Sequence, residues 1–349
     1  MANIPATTPP TQRPLDDAEL RDLLEPLGSI ASHRLLSGGT FSAVHGVHLT
    51  DGTRVVVKTS VPASSMSDGR TPLLTYERDM LHSEQAMLRM VEGVEGVPSP
   101  RVLLSDFSHA TRDVDALVMT WLDGTPWDTV ANAMTPQATA RAHAQVGEVM
   151  SATQSIVGDT FGFPAADFAL GSGQWVDFFS LAIDSIIADA QTWGVDIEAD
   201  RLLEAVAKGA DALAEVTEPR FIHHDLWMGN VLLNPASGDV CGIVDFERSL
   251  FGDPLCAFVG AETMRTGAST PALLAGYESA GGRLPRDPAA GTATGFSKAA
   301  DQRTTLYRLW LGAIQCVEIV PRQFHGKWLE EHRARLVANR EVLLERAGV

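Results

Sequence analysis

Asp225, Asn230 and Asp245, in the stretches "FIHHDLWMGNVLL" and "GIVDFE", combine residue types and spacing that suit a reaction. A carboxylate can accept the proton of an attacking hydroxyl, an asparagine oxygen can face a metal ion, and a second carboxylate can hold that ion. Together they make a workable set for phosphoryl transfer. The plainer explanation is an asparagine that caps backbone and an aspartate in a turn, and the ordered set weighs against it. Two short β runs, "NVLLN" and "VCGIVDFE", joined by the turn "NPASGD", would return Asn230 and Asp245 to one place. Lys58, in "TRVVVKTS", is one of four lysines, with Lys208, Lys298 and Lys327. Its ammonium leaves a hydrophobic strand shortly after a turn-rich hairpin, where it would meet phosphate rather than bulk water.

Other groups near these motifs narrow the chemistry. "LLSGGTFSAVHGV" puts Gly38 and Gly39 at a turn with small Thr40 and Ser42 beside them, so backbone amides could cradle phosphate. Its spacing fits neither GxGxxG nor GxxxxGK, which removes support for a dinucleotide fold or a P-loop. Adjacent histidines, His223 and His224, do not by themselves aim two imidazoles at one ion, and there is no H-E-x-x-H helix or paired CxxC knuckle. Mg2+ is therefore expected over Zn2+, since Asn and Asp supply hard oxygen donors. Glu247 would join the metal shell, orient Lys58 through water, or face the cationic part of a substrate. Asp253, in "FGDPL", reads as a helix N-cap and not as a catalytic group.

The elements that must position these residues follow from periodicity. Residues 1–14 are Pro/Thr-rich and aperiodic, and are expected as a flexible tail. "SHRLLSGGTFSAVHGVHLTDGTRVVVKTS" reads as strand, glycine turn, strand, "TDG" turn and strand. "VPASSMSDGRTP", residues 61–72, reads as an exposed mobile loop. "LLTYERDMLHSEQAMLRMVEG" has the pattern of an amphipathic helix bearing Glu77 and Glu84, and two more strands follow in "VPSPRVLLSDFSH" and "DVDALVMTWLDGTPW". An N-lobe is thus expected over 15–119, an interlobe connection over 120–127, and a mainly helical lobe over 128–349. Its helices include "TPQATARAHAQVGEVMSATQSI", "WVDFFSLAIDSIIADAQTWG" and "DIEADRLLEAVAKGADALAEV". The fold class read from this order is α+β, with a small β-rich lobe ahead of a larger helical one.

Composition bounds the partners. The 349 residues carry 27 basic and 44 acidic side chains, a formal charge of -17, which disfavours long-range attraction to nucleic acid or an anionic membrane and tolerates a cationic small substrate. No apolar run long enough to span a bilayer is present, and the N-terminus lacks the apolar segment of a signal peptide. Cys241, Cys256 and Cys316 are odd in number and widely spaced, so they read as three core thiols in a reducing cytoplasm.

"HHDLWMGN" followed by "GIVDFE" resembles the HxDxxxxN and Asp-aromatic-acid motifs of small-molecule kinases of the aminoglycoside phosphotransferase and choline kinase type, distant relatives of protein kinases. The likeness runs over nearly the whole chain after the tail, in family order: glycine hairpin, strand lysine, helix glutamate, interlobe strand, catalytic loop, metal aspartate. It implies a bilobal protein-kinase-like fold that uses ATP and Mg2+ on a hydroxylated small molecule. Carried over by position, Asp225 matches the catalytic base, Asn230 and Asp245 the metal ligands, and Lys58 the lysine on the ATP phosphates. Glu84 is expected to pair with Lys58, with Glu77 as runner-up, and Met119 and Trp121 are expected at the adenine side. His223 is expected to organise the loop, and His224 to contact substrate or fill the loop. Trp227 stands where many relatives have histidine, and "DLWMGN" is similar to the loop of fructosamine-kinase-like proteins, whereas "VDFE" follows the antibiotic-kinase pattern better, so an antibiotic-like amine leads, with amino sugars and other hydroxylated metabolites beside it. A GTP-preferring enzyme and an inactive nucleotide-binding module remain as alternatives. A protein kinase is disfavoured because DFG, APE and the segment between them are absent.

Overall fold

The computed structural model describes residues 10–36, 39, 41–61 and 72–349. Helix α1 (Asp17–Leu24) begins at a capping box in which the Asp16 carboxylate accepts the amides of Ala18 and Glu19 and Glu19 accepts the amide of Asp16. Such a cap contributes about 1 kcal/mol. Strands β1 (Ile30–Leu35), β2 (Ala43–Leu49) and β3 (Arg54–Ser60) follow, then helix α2 (Met80–Val91) and strands β4 (Val102–Asp106) and β5 (Asp115–Thr120). The strands form one antiparallel sheet in the order β1-β2-β3-β5-β4.

Alternation along the strands gives this sheet two different faces. Val47, Leu49, Val55, Val57, Ala116 and Val118 turn to one side and pack with Leu20, Leu23 and Leu24 of α1 in a core of their own. Lys58 is paired in register with Val44 and Leu117, so it belongs to the opposite face. There Leu117 and Met119 join the core that continues into the second lobe. A period of two thus carries the Lys58 ammonium to the side where the lobes meet.

Strand β6 (Thr125–Pro126) crosses between the lobes, and Gly124 just before it has φ +154° and lies so close to β10 (Val231–Asn234) that a Cβ would come within 2.8 Å of Leu232 Cβ. Only glycine combines that backbone angle with that approach. The second lobe runs α3 (Trp127–Val130), α4 (Pro136–Thr153), β7 (Phe161–Gly162), α5 (Ala165–Phe168), β8 (Gly171–Ser172), α6 (Trp175–Trp193), α7 (Ala199–Lys208), α8 (Ala210–Ala214) and β9 (Arg220–Ile222). After β10 come β11 (Asp239–Ile243), β12 (Leu250–Gly252), α9 (Leu255–Ala261), α10 (Pro271–Ser279), α11 (Lys298–Glu318) and α12 (Trp328–Ala347). Helix α11 is the axis of this lobe: Leu306, Tyr307, Leu309, Trp310, Ile314 and Val317 are all buried. The Tyr307 hydroxyl accepts from Trp175 Nε1 and donates to Asp253, which satisfies two large buried aromatics at once. The architecture is bilobal α+β, a β-rich N-terminal lobe ahead of a larger helical one.

Three expectations change. The helix foreseen across "LLTYERDMLHSEQAMLRMVEG" breaks at Asp79 (φ 53°), leaving Glu77 on a separate 3-10 turn, Thr75–Glu77. That turn is held to the second lobe, because Asp189 of α6 accepts both the amide and the hydroxyl of Thr75 and Tyr76 stacks on Phe163. Asp189 is therefore a buried tether between the lobes. Residues 10–14 of the expected tail pack on the body: Thr11 is fully buried, Gln12 donates to the carbonyls of Gly39 and Ser42, and Arg13 pairs with Glu19 and Asp113. Of the three cysteines only Cys256 is a core thiol; Cys241 is exposed and Cys316 half-buried. The expected loop at 61–72 falls almost wholly outside the described residues.

Candidate active site

Lys58 is 6% exposed and its Nζ touches three carboxylates: Glu84 Oε2 at 2.8 Å, Asp245 Oδ1 at 2.6 Å and Glu247 Oε2 at 2.7 Å. Burial pulls the ammonium pKa down, and Asp245, Glu247 and Glu84 more than offset it, holding it well above the ordinary lysine value. Glu84 sits in the middle of α2, and its second oxygen accepts the amide of Phe246, so one side chain joins helix, lysine and the turn after β11. Glu77 instead faces Arg322, with Arg248 at 3.7 Å. Of the three tasks open to Glu247, contact with Lys58 is made directly rather than through water, and Ser42 Oγ also donates to Glu247.

Three acids around one ammonium leave surplus negative charge. Burial, with Asp245 adding to it, pushes Glu247 up to about 8, and burial likewise raises Glu84. Asp245 goes the other way: burial opposes its ionisation, but Lys58 holds it below the ordinary carboxylate range. Oxygens of Glu84, Asp245 and Glu247 all lie within 4.8 Å of one another. A divalent cation with hard-oxygen preference would supply the missing positive charge, so the donor set fits Mg2+. Asp245 and the side-chain oxygen of Asn230 are the residues that would hold it.

The hairpin explains why residues fifteen positions apart converge. Val231 pairs with Ile243 in the β10–β11 ladder, and the Val244 amide donates to the Asn230 carbonyl, which leaves Asn230 and Asp245 at the same end. Asp245 has φ 69°, a left-handed conformation that aspartate tolerates better than most residues. His223 locks this end: its Nε2 donates to the Val244 carbonyl, its ring packs edge-on against Phe246, and its Nδ1 accepts the Asp225 amide at 3.4 Å. Burial keeps it neutral, with a pKa near 4.

Asp225 keeps partial exposure beside these groups. Desolvation raises its carboxyl to about 6; Arg248 opposes that shift and Asp245 adds to it. Asn230 Nδ2 donates to the Asp225 carbonyl at 2.8 Å and to its carboxylate at 3.1 Å. His224, at φ 58°, is buried and stacks on Trp310 with centroids 4.9 Å apart; it fills the loop and its ring is turned into the core. Trp227 is 37% exposed, on the same loop. Neither histidine belongs to a metal-ligating cluster among the described residues.

The remaining expected residues are distributed around the sheet. Ser42 reaches Glu247 and Gly39 is exposed with its carbonyl held by Gln12, while Gly38 and Thr40 lie outside the described residues. Met119 is buried in β5 on the Lys58 face. Trp121 lies against Gly46 of β2, where a Cβ would approach its ring to 2.8 Å, and stacks under the Arg54 guanidinium. Asp253 accepts the Leu255 amide at the start of α9 and pairs with Arg303.

Sequence reasoning missed the buried network beside Asp225, in which Arg248 and Arg322 meet Glu77 and Glu318, with Arg248 over Tyr76 and Arg322 over Phe41. Its one local signal was the arginine in "DFERS", and the partners lie on remote segments that no spacing rule connects.

Residues 34–292, well over half of the chain, match the phosphotransferase enzyme family (APH). No curated protein matches the sequence. Among solved structures, a thermostable mutant of aminoglycoside phosphotransferase APH(4)-Ia in ternary complex with AMP-PNP and hygromycin B is similar, with a TM-score of 0.62 at 17% identity over 94% of this chain and 98% of that one. ADP-bound aminoglycoside phosphotransferase APH(2'')-Ib gives 0.54 at 17% identity, over 95% and 97% of the two chains. The gentamicin complex of APH(2'')-IIa gives 0.56 at 16% identity, again over 95% and 97%. The fold is thus the bilobal protein-kinase-like one, and the chain belongs to the phosphotransferase enzyme family, as an enzyme of the small-molecule kinase type that transfers phosphate from ATP-Mg to a hydroxyl.

Proposed function

We propose that Asp225 is the base of this transfer and that the acceptor is a hydroxylated small molecule of the aminoglycoside-like or amino-sugar class. The observation that carries the reading is the meeting, at one end of the β10–β11 hairpin, of a lysine paired with a helix glutamate and a carboxylate held by Asn230. Asp225 orients the acceptor hydroxyl and takes its proton as the oxygen attacks the gamma phosphorus in line. The new O–P bond forms as the bond from that phosphorus to the bridging oxygen breaks, giving a phosphate monoester and ADP. Lys58 binds and neutralises the nucleotide phosphates, with Glu84 fixing its direction; Gly39 and Ser42 flank them, and Met119 and Trp121 shape the base pocket. Asn230 and Asp245 would hold Mg2+, which would supply charge neutralisation on the phosphates. The amine preference of the acceptor is supported by the hygromycin B and gentamicin complexes of similar folds and by the charge of -17. Unpaired cysteines suit a cytoplasmic setting. No described helix is long and apolar enough to cross a membrane.

The test is ADP formation from ATP across a panel of aminoglycosides, amino sugars and neutral polyols, followed by locating the phosphate on the product. Turnover with an amino-bearing polyol and none with its neutral counterpart is expected. Nucleotide binding without turnover on any acceptor would replace this reading with a binding module.

A further inference from the structure

The first lobe carries a second cluster of metal-ligand atoms, outside the phosphotransfer site. Oxygens of Asp79 and Asp115 and a ring nitrogen of His82 all lie within 4.8 Å of one another, and none of the three residues belongs to the group of Glu84, Asp245 and Glu247. Asp79 immediately precedes α2, His82 lies in the first turn of that helix, and Asp115 opens β5.

Asp79 occupies the N-cap position of α2, where an aspartate ordinarily accepts an amide of the first turn. It accepts none: its backbone is left-handed, at φ 53° and ψ 36°, and among the described residues its carboxylate has no hydrogen-bond or ion-pair partner. The Asp115 side chain is only 7% exposed, and among the described residues no lysine or arginine pairs with it. His109, on the β4–β5 connection, donates from Nε2 to Asp115 Oδ1 at 2.8 Å. His82 Nε2 approaches the same oxygen but stops at 3.6 Å. That is too long for a hydrogen bond and close to the roughly 3.3 Å that separates neighbouring donors in a tetrahedral zinc shell. The His82 ring is stacked on Phe107 with centroids 3.9 Å apart, which fixes its plane. Two carboxylates this close repel each other, and a cation between them removes the repulsion.

We propose that Asp79, His82 and Asp115 form a site for a divalent first-row metal ion such as Zn2+, with His109 as the outer partner that orients Asp115. The imidazole separates this donor set from a Mg2+ site, which is built from oxygens alone. Three protein donors leave a fourth position to water. A bound ion joins the start of α2 to β5. Glu84 follows His82 by two residues, and Asp115 shares its strand face with Leu117, the register partner of Lys58. The ion thus clamps the helix and the strand that frame the Lys58–Glu84 pair.

The whole protein, stripped of metal with EDTA and then held in excess Mg2+ to fill the oxygen-donor cluster, is titrated with ZnCl2 in a calorimeter. One Zn2+ equivalent is expected, lost in His82→Phe and in Asp79→Asn and kept in His325→Gln, which removes an exposed imidazole elsewhere. His82→Phe keeps an aromatic ring against Phe107, and asparagine tolerates the left-handed backbone at position 79, so both variants are expected to fold. Hydrogen exchange gives the local readout. The Ser83 amide, bonded to the Asp79 carbonyl, is expected to exchange about tenfold more slowly in wild type when Zn2+ is ten-fold above its dissociation constant, and at an unchanged rate in His82→Phe. No Zn2+ equivalent in the presence of Mg2+, an equivalent that either site variant retains, one that disappears in His325→Gln, or Ser83 exchange that Zn2+ leaves unchanged in wild type would each overturn the proposal. No nucleotide or acceptor enters the experiment, so its outcome is independent of the role proposed for Asp225.

Discussion

Asn230 Nδ2 donates to both the carbonyl and the carboxylate of Asp225, at 2.8 and 3.1 Å. An asparagine amide offers two donors and one oxygen, so spending its nitrogen on Asp225 leaves the oxygen for a cation. The residue therefore fixes the proposed base and presents a metal donor at the same time. Asn230→Asp replaces a donor with a second carboxylate against Asp225. Turnover is expected to fall by about 10²-fold or more, and the acidic limb of kcat/KM to move to higher pH because a like charge disfavours ionisation. A variant with wild-type turnover would remove Asn230 from both tasks.

Asp225→Asn keeps an oxygen to accept from Asn230, so the loop geometry survives while the basic group is lost. ATP affinity by titration calorimetry is expected to stay near wild type, and acceptor-dependent ADP release to fall by about 10²- to 10⁴-fold. Asp245→Asn should instead weaken nucleotide binding, since Asp245 contacts Lys58 and is the proposed metal carboxylate. Stability separates the two roles as well. The folded-state pKa of Asp225 is raised above its unfolded value, so its ionisation costs stability as pH rises from about 4 to about 6. Nucleotide-free Asp225→Asn is accordingly expected to melt above wild type at pH 7, with the difference vanishing at the acidic end of that window.

The same shift sets the pH profile. A base must be ionised to accept a proton, and burial holds Asp225 at about 6 in the free enzyme. The value of kcat/KM for the acceptor is expected to rise about tenfold per pH unit below 6 and to level above it. A limb centred near 4, the ordinary carboxylate value, would mean that Asp225 is better solvated during turnover than its surroundings imply.

Much of this was legible in the sequence because it rests on local periodicity. The two-residue alternation of "TRVVVKTS" sends Lys58 to the face opposite Val55 and Val57, and the hairpin between Asn230 and Asp245 is short enough for its turn residues to announce it. Glu84 was distinguishable from Glu77 by position in its helix, but the fate of Glu77 was not. Its turn is broken from α2 by tethers to Asp189 and Arg322, which lie more than a hundred residues away in the chain. Gln12 eluded composition for the same reason: Pro/Thr-rich sequence reads as tail unless one knows that the carbonyls of Gly39 and Ser42 wait for a donor. Long-range polar pairings decide these positions, and they leave no periodic trace.

His224 offers the sharpest contrast between conformation and packing. Its φ of 58° favours glycine, while its stack on Trp310 favours the imidazole. Alanine satisfies neither, so His224→Ala should be the least stable of the three, and His224→Gly should recover about 1 kcal/mol of that loss by relieving the backbone. Burial depresses the His224 pKa to about 3, with Arg248 and His223 adding to the effect. Below pH 6.5 the unfolded chain therefore binds a proton that the folded chain refuses, and stability is lost as pH falls from 6.5 towards 3. Chemical denaturation of wild type and His224→Gly across that range should show the variant losing less stability on acidification, by the slope of one proton. Parallel curves would mean that His224 takes up its proton in the folded state, with Trp310 no longer sealing the ring from water.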